Sequence, residues 1–543
     1  MSFQLNNEQQ MAINDALLSL TEREMKYLKG SWAETFSKKI FPFIDEDRFS
    51  VLYSDNPASR PNNPANVYFG LLILREIFNQ SDEEALNSLM FDIRYQHALH
   101  TTSFQEQPVS KNSLTNFRAA VYSYNQEHGI DLIQEEIEAH AQQFSKILKI
   151  EGKTIRMDSL MVSSSCRKLS RLEIIYSTVA RFIKVIDKNI LPERFKPYLE
   201  EGHYNDTIYR SRDKDLNSKI KKVLKDGLRL YSLYKNKEIS KTEEFKLLSR
   251  MLKEQTRKGR IKPSLEISPD SLQNPTDPDA TYRKKGKKKH LGYTANIIEK
   301  FDDKNRMITG YDLKKNNYSD QKFAQDTISK LPVEKDGVTA LVDGAYFSED
   351  INKKAEAKGI KMVPANLVGG GKNSNGAKFE IDEKKHTVKK CPSGHQPITS
   401  FFKEGSYRAH FDKKHCKCCP FRQDCPVIEQ KKSYLFKVSE TKLHRCQLIT
   451  KMGTPEYQEL ARKRAGIEAI PSVLRRRYKI DHLPVRGEVR VKVWLGFKIS
   501  AINCKRLIKG LMNRPIPELF TLLYNHLFSL FSFQRTYRVK FAA

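Results

Sequence analysis

Val338-Thr339-Ala340-Leu341-Val342-Asp343-Gly344-Ala345-Tyr346 is the stretch on which the fold turns. Five apolar or β-branched residues read as a buried strand, and the chain then breaks at an Asp-Gly pair. Working outward, Ser348 to Lys358 reads as a helix and Ile360 to Pro364 as another strand. Upstream, Asp320 to Leu331 reads as a helix. Tyr293–Phe301 and Met307–Leu313 read as a hairpin closed by Asp302–Asn305. Earlier still, Lys149 to Met157 predicts a strand with Asp158 at its end. The order strand, hairpin, helix, strand, helix, strand predicts an α/β fold with a mixed sheet. Asp158 and Asp343 then each stand at the C-terminal end of a strand, where such sheets present catalytic groups.

The flanking segments read differently. Residues 60 to 148 predict an all-helical module. Val67 to Phe78 has helical apolar spacing, and Ser81 with Glu84 forms a capping box opening a helix through Leu99. A third helix starts near Ser113 and carries Phe117 and Arg118, and a fourth runs from Leu132 to Leu148. This module reads either as scaffold or as a helix–turn–helix-like reader of DNA ends. Residues 170 to 260 are helical again, with Leu172, Ile175, Val179 and Phe182 on one face. Pro263 to Asp279 is a loop. It leads into the basic run Arg283 to Lys289, which is either a solvated segment or a track for a phosphate backbone. Pro455 to Tyr478 predicts a helix, kinked or split at Pro471. The expected divisions are 1–148, 149–169, 170–289, 290–378, 379–440 and 441–543.

Lys and Arg total 95 against 65 Asp and Glu, a net charge of +30 over 543 residues. That length suits about three or four domains. The surplus charge calls for a polyanion, most simply nucleic acid. No apolar stretch of about twenty residues is present, which argues against a membrane partner. Leu519 to Phe533 reads as a packed C-terminal helix. The N-terminus lacks an apolar signal core, so a cytoplasmic location is expected, with the eight cysteines reduced and available for metal.

A third acid, Glu468, lies on the helix segment Arg464-Ala-Gly-Ile-Glu468. Phosphodiester transfer uses two divalent ions roughly 3.5–4 Å apart. Magnesium, or manganese, takes oxygen ligands, and water and phosphate complete the coordination of a few carboxylates. Singly, an Asp after a strand is usually a turn former, and a Glu on a basic helix is usually an ion-pair partner.

Taken together the motifs resemble bacterial DDE-type insertion-sequence transposases. Ile155-Arg156-Met157-Asp158-Ser159 resembles their first catalytic strand, and Val342 to Tyr346 resembles their second motif. Arg464, Glu468 and Arg475 resemble a third, in which Tyr, Arg, Glu and Lys are spaced along a helix. Asp277-Pro278-Asp279-Ala280 through Gly292-Tyr293 and Ala501 to Arg506 also fit that group, as does the helical module at 60 to 125. The resemblance spans roughly residues 60 to 510. It implies a ribonuclease-H-like catalytic core with helical insertions, and Asp158, Asp343 and Glu468 as ligands of two Mg2+ ions. It implies cleavage at terminal inverted repeats of double-stranded DNA, transfer of 3′-OH ends to target DNA, and a homodimer on paired ends. Two positions depart from the pattern. The signature Tyr falls on Ala461, with Tyr457 one turn earlier, and the signature Lys is Arg475.

Cys391, Cys416, Cys419 and Cys425 have zinc-ribbon-like spacing and predict a small structural zinc site, with Cys418, His395 and His415 as alternative ligands. Thiolates suit zinc and not magnesium, so this site should be separate from the carboxylates. From Arg475 to Arg514 twelve basic residues face two acids. Arg464, Arg475, Arg476, Arg477, Lys284 and Lys287 are the expected DNA contacts. Trp494 and Tyr478 are candidate platforms for an unpaired base, with Trp494 alternatively a core residue beside Val491, Val493, Leu495 and Phe497. Two other functions fit the sequence: a catalytically inactive transposase-derived DNA-binding protein, and an unrelated zinc-containing nuclease or RNA-processing enzyme.

Overall fold

In the computed structural model the strand predicted to end before Asp158 runs on past it, from Thr154 to Ser163 (β1). The model describes residues 1–6, 15–56, 58–104, 106–209, 215–257, 260–333, 337–367, 369 and 374–512. The helix expected at Leu519 to Phe533 lies outside these residues. The chain forms two units: Met1–Gly152 with Ser159–Tyr318 and Ala469–Ala543, and Lys153–Asp158 with Ser319–Glu468.

In the second unit, Val338–Val342 (β5) pairs in parallel with β1, from Thr154↔Thr339 to Arg156↔Leu341. Ile360–Pro364 (β6) pairs in parallel with β5 from Val338↔Ile360 to Val342↔Pro364. The intervening helices are Asp320–Lys330, capped by Ser319, and Glu349–Glu356, capped by Ser348. Their Phe323, Ala324, Ile328, Ile351 and Ala355 are buried. A four-stranded antiparallel sheet follows, in the order Thr399–Lys403, Ser406–Phe411, Tyr434–Ser439 and Ile428–Glu429. It has its own core, where Phe379 stacks on Phe436 with ring centroids 3.8 Å apart.

In the first unit, Thr281–Lys285 (β2), Lys288–Phe301 (β3) and Arg306–Lys315 (β4) are antiparallel neighbours, β3 pairing with both others. The basic run Arg283–Lys289, read as a solvated segment or a phosphate track, lies on a hairpin. Lys285 pairs with Lys288, and Gly286 takes φ 60° in the two-residue turn. Lysine's weak strand propensity hid it; pairing with β3 overrides that propensity. The second half of β1 lies against β3, with Ser164 N–H donating to Leu291 O at 3.0 Å. Gly292 is obligatory there: its φ is 149°, and a Cβ would stand 2.2 Å from Val162 O. The strand order is β2-β3-β1 with β4 on β3 in this unit, and β1-β5-β6 in the other.

The N-terminal helices are Ala65–Phe78, Asp82–Phe91, Ile93–Ala98, Lys111–His128 and Leu132–Ile147. The Ser81–Glu84 capping box is present. The helix it opens does not reach Leu99: Asp92 leaves the helical region at ψ 109° and its carboxylate caps a second, short helix at Arg94 N. Glu22–Lys29 and Trp32–Lys39 add two helices. Helices Arg171–Lys184, Leu216–Tyr234 and Glu243–Gln255 share a separate core, and Leu172, Ile175, Val179 and Phe182 are buried in it as their spacing predicts. The long helix Glu488–Met512 is largely buried. Its Asn503 accepts from Ile308 N–H at 3.0 Å and donates to Ile308 O at 2.8 Å, substituting for a missing strand partner. Among the described residues no helix is long and apolar enough to cross a membrane.

Candidate active site

Asp158 and Asp343 follow the paired part of two parallel strands. Arg156 is level with Leu341, the last residues to pair across β1 and β5, and each acid lies two residues beyond. Neighbouring strands lie about 4.8 Å apart, and in-register side chains share a face. β5 stops at Val342, so Asp158, though inside β1, stands where its neighbour ends. Asp343 then caps the short turn Gly344–Tyr346, its Oδ1 accepting from Gly344 N–H at 2.9 Å. Asn366 Oδ1 accepts from the same N–H at 2.8 Å. A Cβ on residue 344 would lie 2.4 Å from Asn366 O, which explains the glycine, and Tyr346 is buried.

Glu468 is joined to Asp158 through one arginine. Arg464 Nη2 donates to Asp158 Oδ1 at 3.0 Å and Nη1 donates to Glu468 Oε1 at 3.0 Å. Glu468 is not mid-helix as expected: it closes a 3-10 turn, Gly466–Glu468, after helix Pro455–Ala465. Pro471, four residues beyond Ile467, has no N–H to give to that carbonyl, and the chain tightens just before it. Two further bonds hold the Pro455–Ala465 helix to the strand ends. Arg156 Nη1 donates to Lys463 O at 2.5 Å, and Tyr457 Oη donates to Pro364 O at 2.7 Å. The Tyr457 hydroxyl is thereby engaged, and burial pushes its pKa up. Ala461 is half-buried and has no polar atom beyond its backbone. Arg156 and Asn366 were missed in the sequence. The available signal was a lone Arg inside an apolar strand, two residues before the acid.

Cys391, Cys416, Cys419 and Cys425 line one small cavity of about 30 Å³ together with His395 and His415. The two imidazoles stack with centroids 4.3 Å apart. Cys418 is exposed and outside that lining. Tight turns aim the thiols: Gly394 N–H donates to Cys391 O at 2.8 Å, and Arg422 N–H to Cys419 O at 3.1 Å. Burial, then the neighbouring Cys425, Cys391 and Cys419, pushes the Cys416 thiol up to about 11. Among the described residues no group of three or more His, Cys, Asp or Glu is set out to hold a metal ion. At the carboxylates, the Arg464 guanidinium bridges two of the three acids.

The expected DNA contacts divide. Lys284, Lys287 and Arg476 are exposed. Arg464 is engaged by the acids. Arg475 reaches Asp481 Oδ2 at 3.3 Å and Met161 O at 3.2 Å, and Arg477 stands 5.9 Å from the Tyr478 ring. Three cations of the C-terminal region are tied up in ion pairs, whereas Arg475, Arg476, Lys479, Arg486, Arg490 and Lys509 are exposed. Lys498 pairs with Glu76, Lys492 with Asp131 and Asp312, and Arg506 with Glu299. Tyr478 is buried and offers no platform for a base. Trp494 is covered by the Arg75 guanidinium, 4.2 Å from its ring centroid.

Two family models match the chain. The transposase DDE domain covers residues 390–508, which include Glu468, and the transposase domain (DUF772) covers residues 28–120. This pair is typical of insertion-sequence transposases and supports a transposase, a DNA-binding enzyme class that cuts and joins DNA. No curated protein matches by sequence. Among solved structures, the cryo-EM structure of a piggyBac transposase synaptic complex with hairpin DNA is 8% identical, covering 92% of this chain and 77% of that one at a TM-score of 0.27. A likeness at that level carries no argument about mechanism.

Proposed function

We propose that the chain is a DDE transposase that cleaves DNA at the terminal inverted repeats of its own insertion sequence and transfers the 3′-OH ends to target DNA. The observation that carries this reading is the Arg464 guanidinium, which binds Asp158 and Glu468 at once, beside a strand β1 whose parallel partner β5 runs into Asp343. In the second unit, the parallel pairing of β1 with β5 and of β5 with β6 supports a ribonuclease-H-like core.

The donor set is oxygen only, which fits Mg2+ or Mn2+. Two such ions bound there would activate the attacking oxygen and stabilise the leaving one. In the first reaction water adds to phosphorus and the bond to the 3′-oxygen breaks, leaving a 3′-OH. In the second that hydroxyl attacks a target phosphodiester, forming a new P–O bond and releasing the target's own 3′-oxygen. Asp158, Asp343 and Glu468 are the residues that would hold the ions. Arg156 and Tyr457 keep the Pro455–Ala465 helix against the strands, and Lys284, Lys287 and Arg476 meet phosphates. The four cysteines that line one cavity are the residues that would supply thiolates to a structural zinc, separate from the acids. Cutting two ends calls for a homodimer, working in the cytoplasm on the nucleoid. The alternative, a DNA-binding protein without catalysis, draws on the Arg464 bridge, which competes with cations for the same oxygens.

Asp343→Asn removes a ligand and no phosphate contact. It should abolish strand cleavage of a labelled repeat duplex while leaving binding by gel shift within about twofold, a range far smaller than loss of a charge-assisted contact gives. Normal cutting by this variant would contradict the assignment.

A further inference from the structure

The helix Lys111–His128 combines a rigid buried side with an exposed side of unusual composition. On the buried side Leu114, Phe117 and Val121 enter the core, and Phe117 stacks on Tyr68 at 5.0 Å. Arg118 binds both oxygens of Asp82, which Arg75 Nη1 also holds at 2.6 Å. The exposed side carries Lys111, Asn112, Thr115, Asn116 and Ala119, all on one face at helical spacing. No large apolar residue lies there, so it lacks the centre of a protein–protein interface. No acid lies in the first turn, as in the helices at Ala65 and Ile93.

The polar groups on this face are uncommitted. The amides of Asn112 and Asn116 have no hydrogen-bond partner among the described residues. Thr115 Oγ1 donates back to Lys111 O at 2.9 Å, leaving its methyl group as the outward contact. Asn112, Ser113 and Asn116 also border a cleft of about 490 Å³ lined by Arg60, which is exposed. This side of the helix is therefore open along its N-terminal half, with a cation at hand for a phosphate.

We infer that Lys111–His128 is the sequence-reading helix, and that Asn112, Thr115, Asn116 and Ala119 read A·T-containing base pairs in the major groove of the DNA end. The inference rests on the transposase reading above and names the residues that decide which DNA it takes. A helix about 10–12 Å across fits a groove about 12 Å wide. A side-chain amide bonds adenine N6 and N7 bidentately, and Thr or Ala methyls meet the thymine methyl. Asn112 and Asn116 are one turn apart, about 6 Å along the axis, close to two base-pair steps of about 3.4 Å. Lys111 and Arg60 meet the backbone and carry no sequence preference.

The test uses the full chain and duplexes of about 30 base pairs (roughly three helical turns) taken from the DNA bordering the coding sequence, against scrambled duplexes of equal composition. Wild type should prefer the border duplex. Asn112→Ala and Asn116→Ala should each lower that preference about tenfold or more, at unchanged affinity for scrambled DNA and unchanged salt slope. Lys111→Ala should weaken binding to both duplexes equally. Thermal unfolding should not move, because these side chains are exposed. Asparagine variants that keep the wild-type preference overturn the helix assignment while leaving the transposase reading intact. A wild type with no preference for the border duplex overturns both.

Discussion

Arg156 and Gly466 show how single residues set the geometry of the acids. Arg156 points from β1 to the carbonyl of Lys463, and a Cβ on residue 466 would lie 2.2 Å from its Nη1. Gly466→Ala must displace that guanidinium, and with it the turn that presents Glu468. It should cost about 1–3 kcal/mol, the usual penalty for overpacking, read as a lower thermal midpoint, and it should slow cleavage more than DNA binding. An unchanged midpoint would show that the Arg156 contact bears no weight. At this scale the sequence was informative about acids and silent about their supports. Asp158, Asp343 and Glu468 are picked out by motif, whereas Arg156 and Asn366 belong to none. Their roles depend on which backbone atoms the fold brings within reach. Tyr478 failed in the opposite direction, because an aromatic beside three arginines reads as exposed until the packing around it is known.

Elements were legible where periodicity and caps agreed. The strand at Val338, the Ser81 cap and the Leu172 face follow from local pattern. The helix break at Asp92 and the hairpin at Arg283 do not, since a side-chain cap inside an apparent helix and a strand made of lysines go against propensity. The same scale holds a pH prediction for helix Lys111–His128. Burial raises the Asp82 carboxyl pKa, but Arg118 and Arg75 overcome this, so the net shift is downward. A lowered carboxylate pKa adds stability that is full above the unfolded pKa and is lost as pH falls through the folded one. Asp82→Asn should therefore cost about 2–4 kcal/mol at neutral pH, where it leaves Arg75 and Arg118 less well paired. Its midpoint should converge with wild type in acid, below the ordinary carboxylate range. A gap that stays constant at pH values well below that range would contradict the ion-pair account.

Over the whole molecule, a net charge of +30 predicted a polyanion partner, but some of the C-terminal share, Lys492, Lys498 and Arg506, lies in ion pairs such as Lys498–Glu76. Charge counted along the chain did not reveal this, since burial is a property of the fold. The exposed cations at the Arg283–Lys289 hairpin and at Lys111 are better candidates for DNA. The cysteine module is the other molecule-scale feature. If zinc organises it, Cys416→Ser with Cys419→Ser should lower metal content to background and reduce soluble yield. A zinc-free wild-type protein that is equally soluble would remove zinc from the account.

The central claim is that the three acids cut DNA, and cleavage of a labelled duplex carrying the element's terminal repeat tests it most directly. The measurement compares wild type with Glu468→Gln, each with Mg2+ and with chelator. The account predicts metal-dependent cutting at the repeat boundary by wild type and none by the variant. Tight binding of the repeat by wild type with no cutting, in Mg2+ and in Mn2+ alike, would contradict it and leave a DNA-binding protein without catalysis.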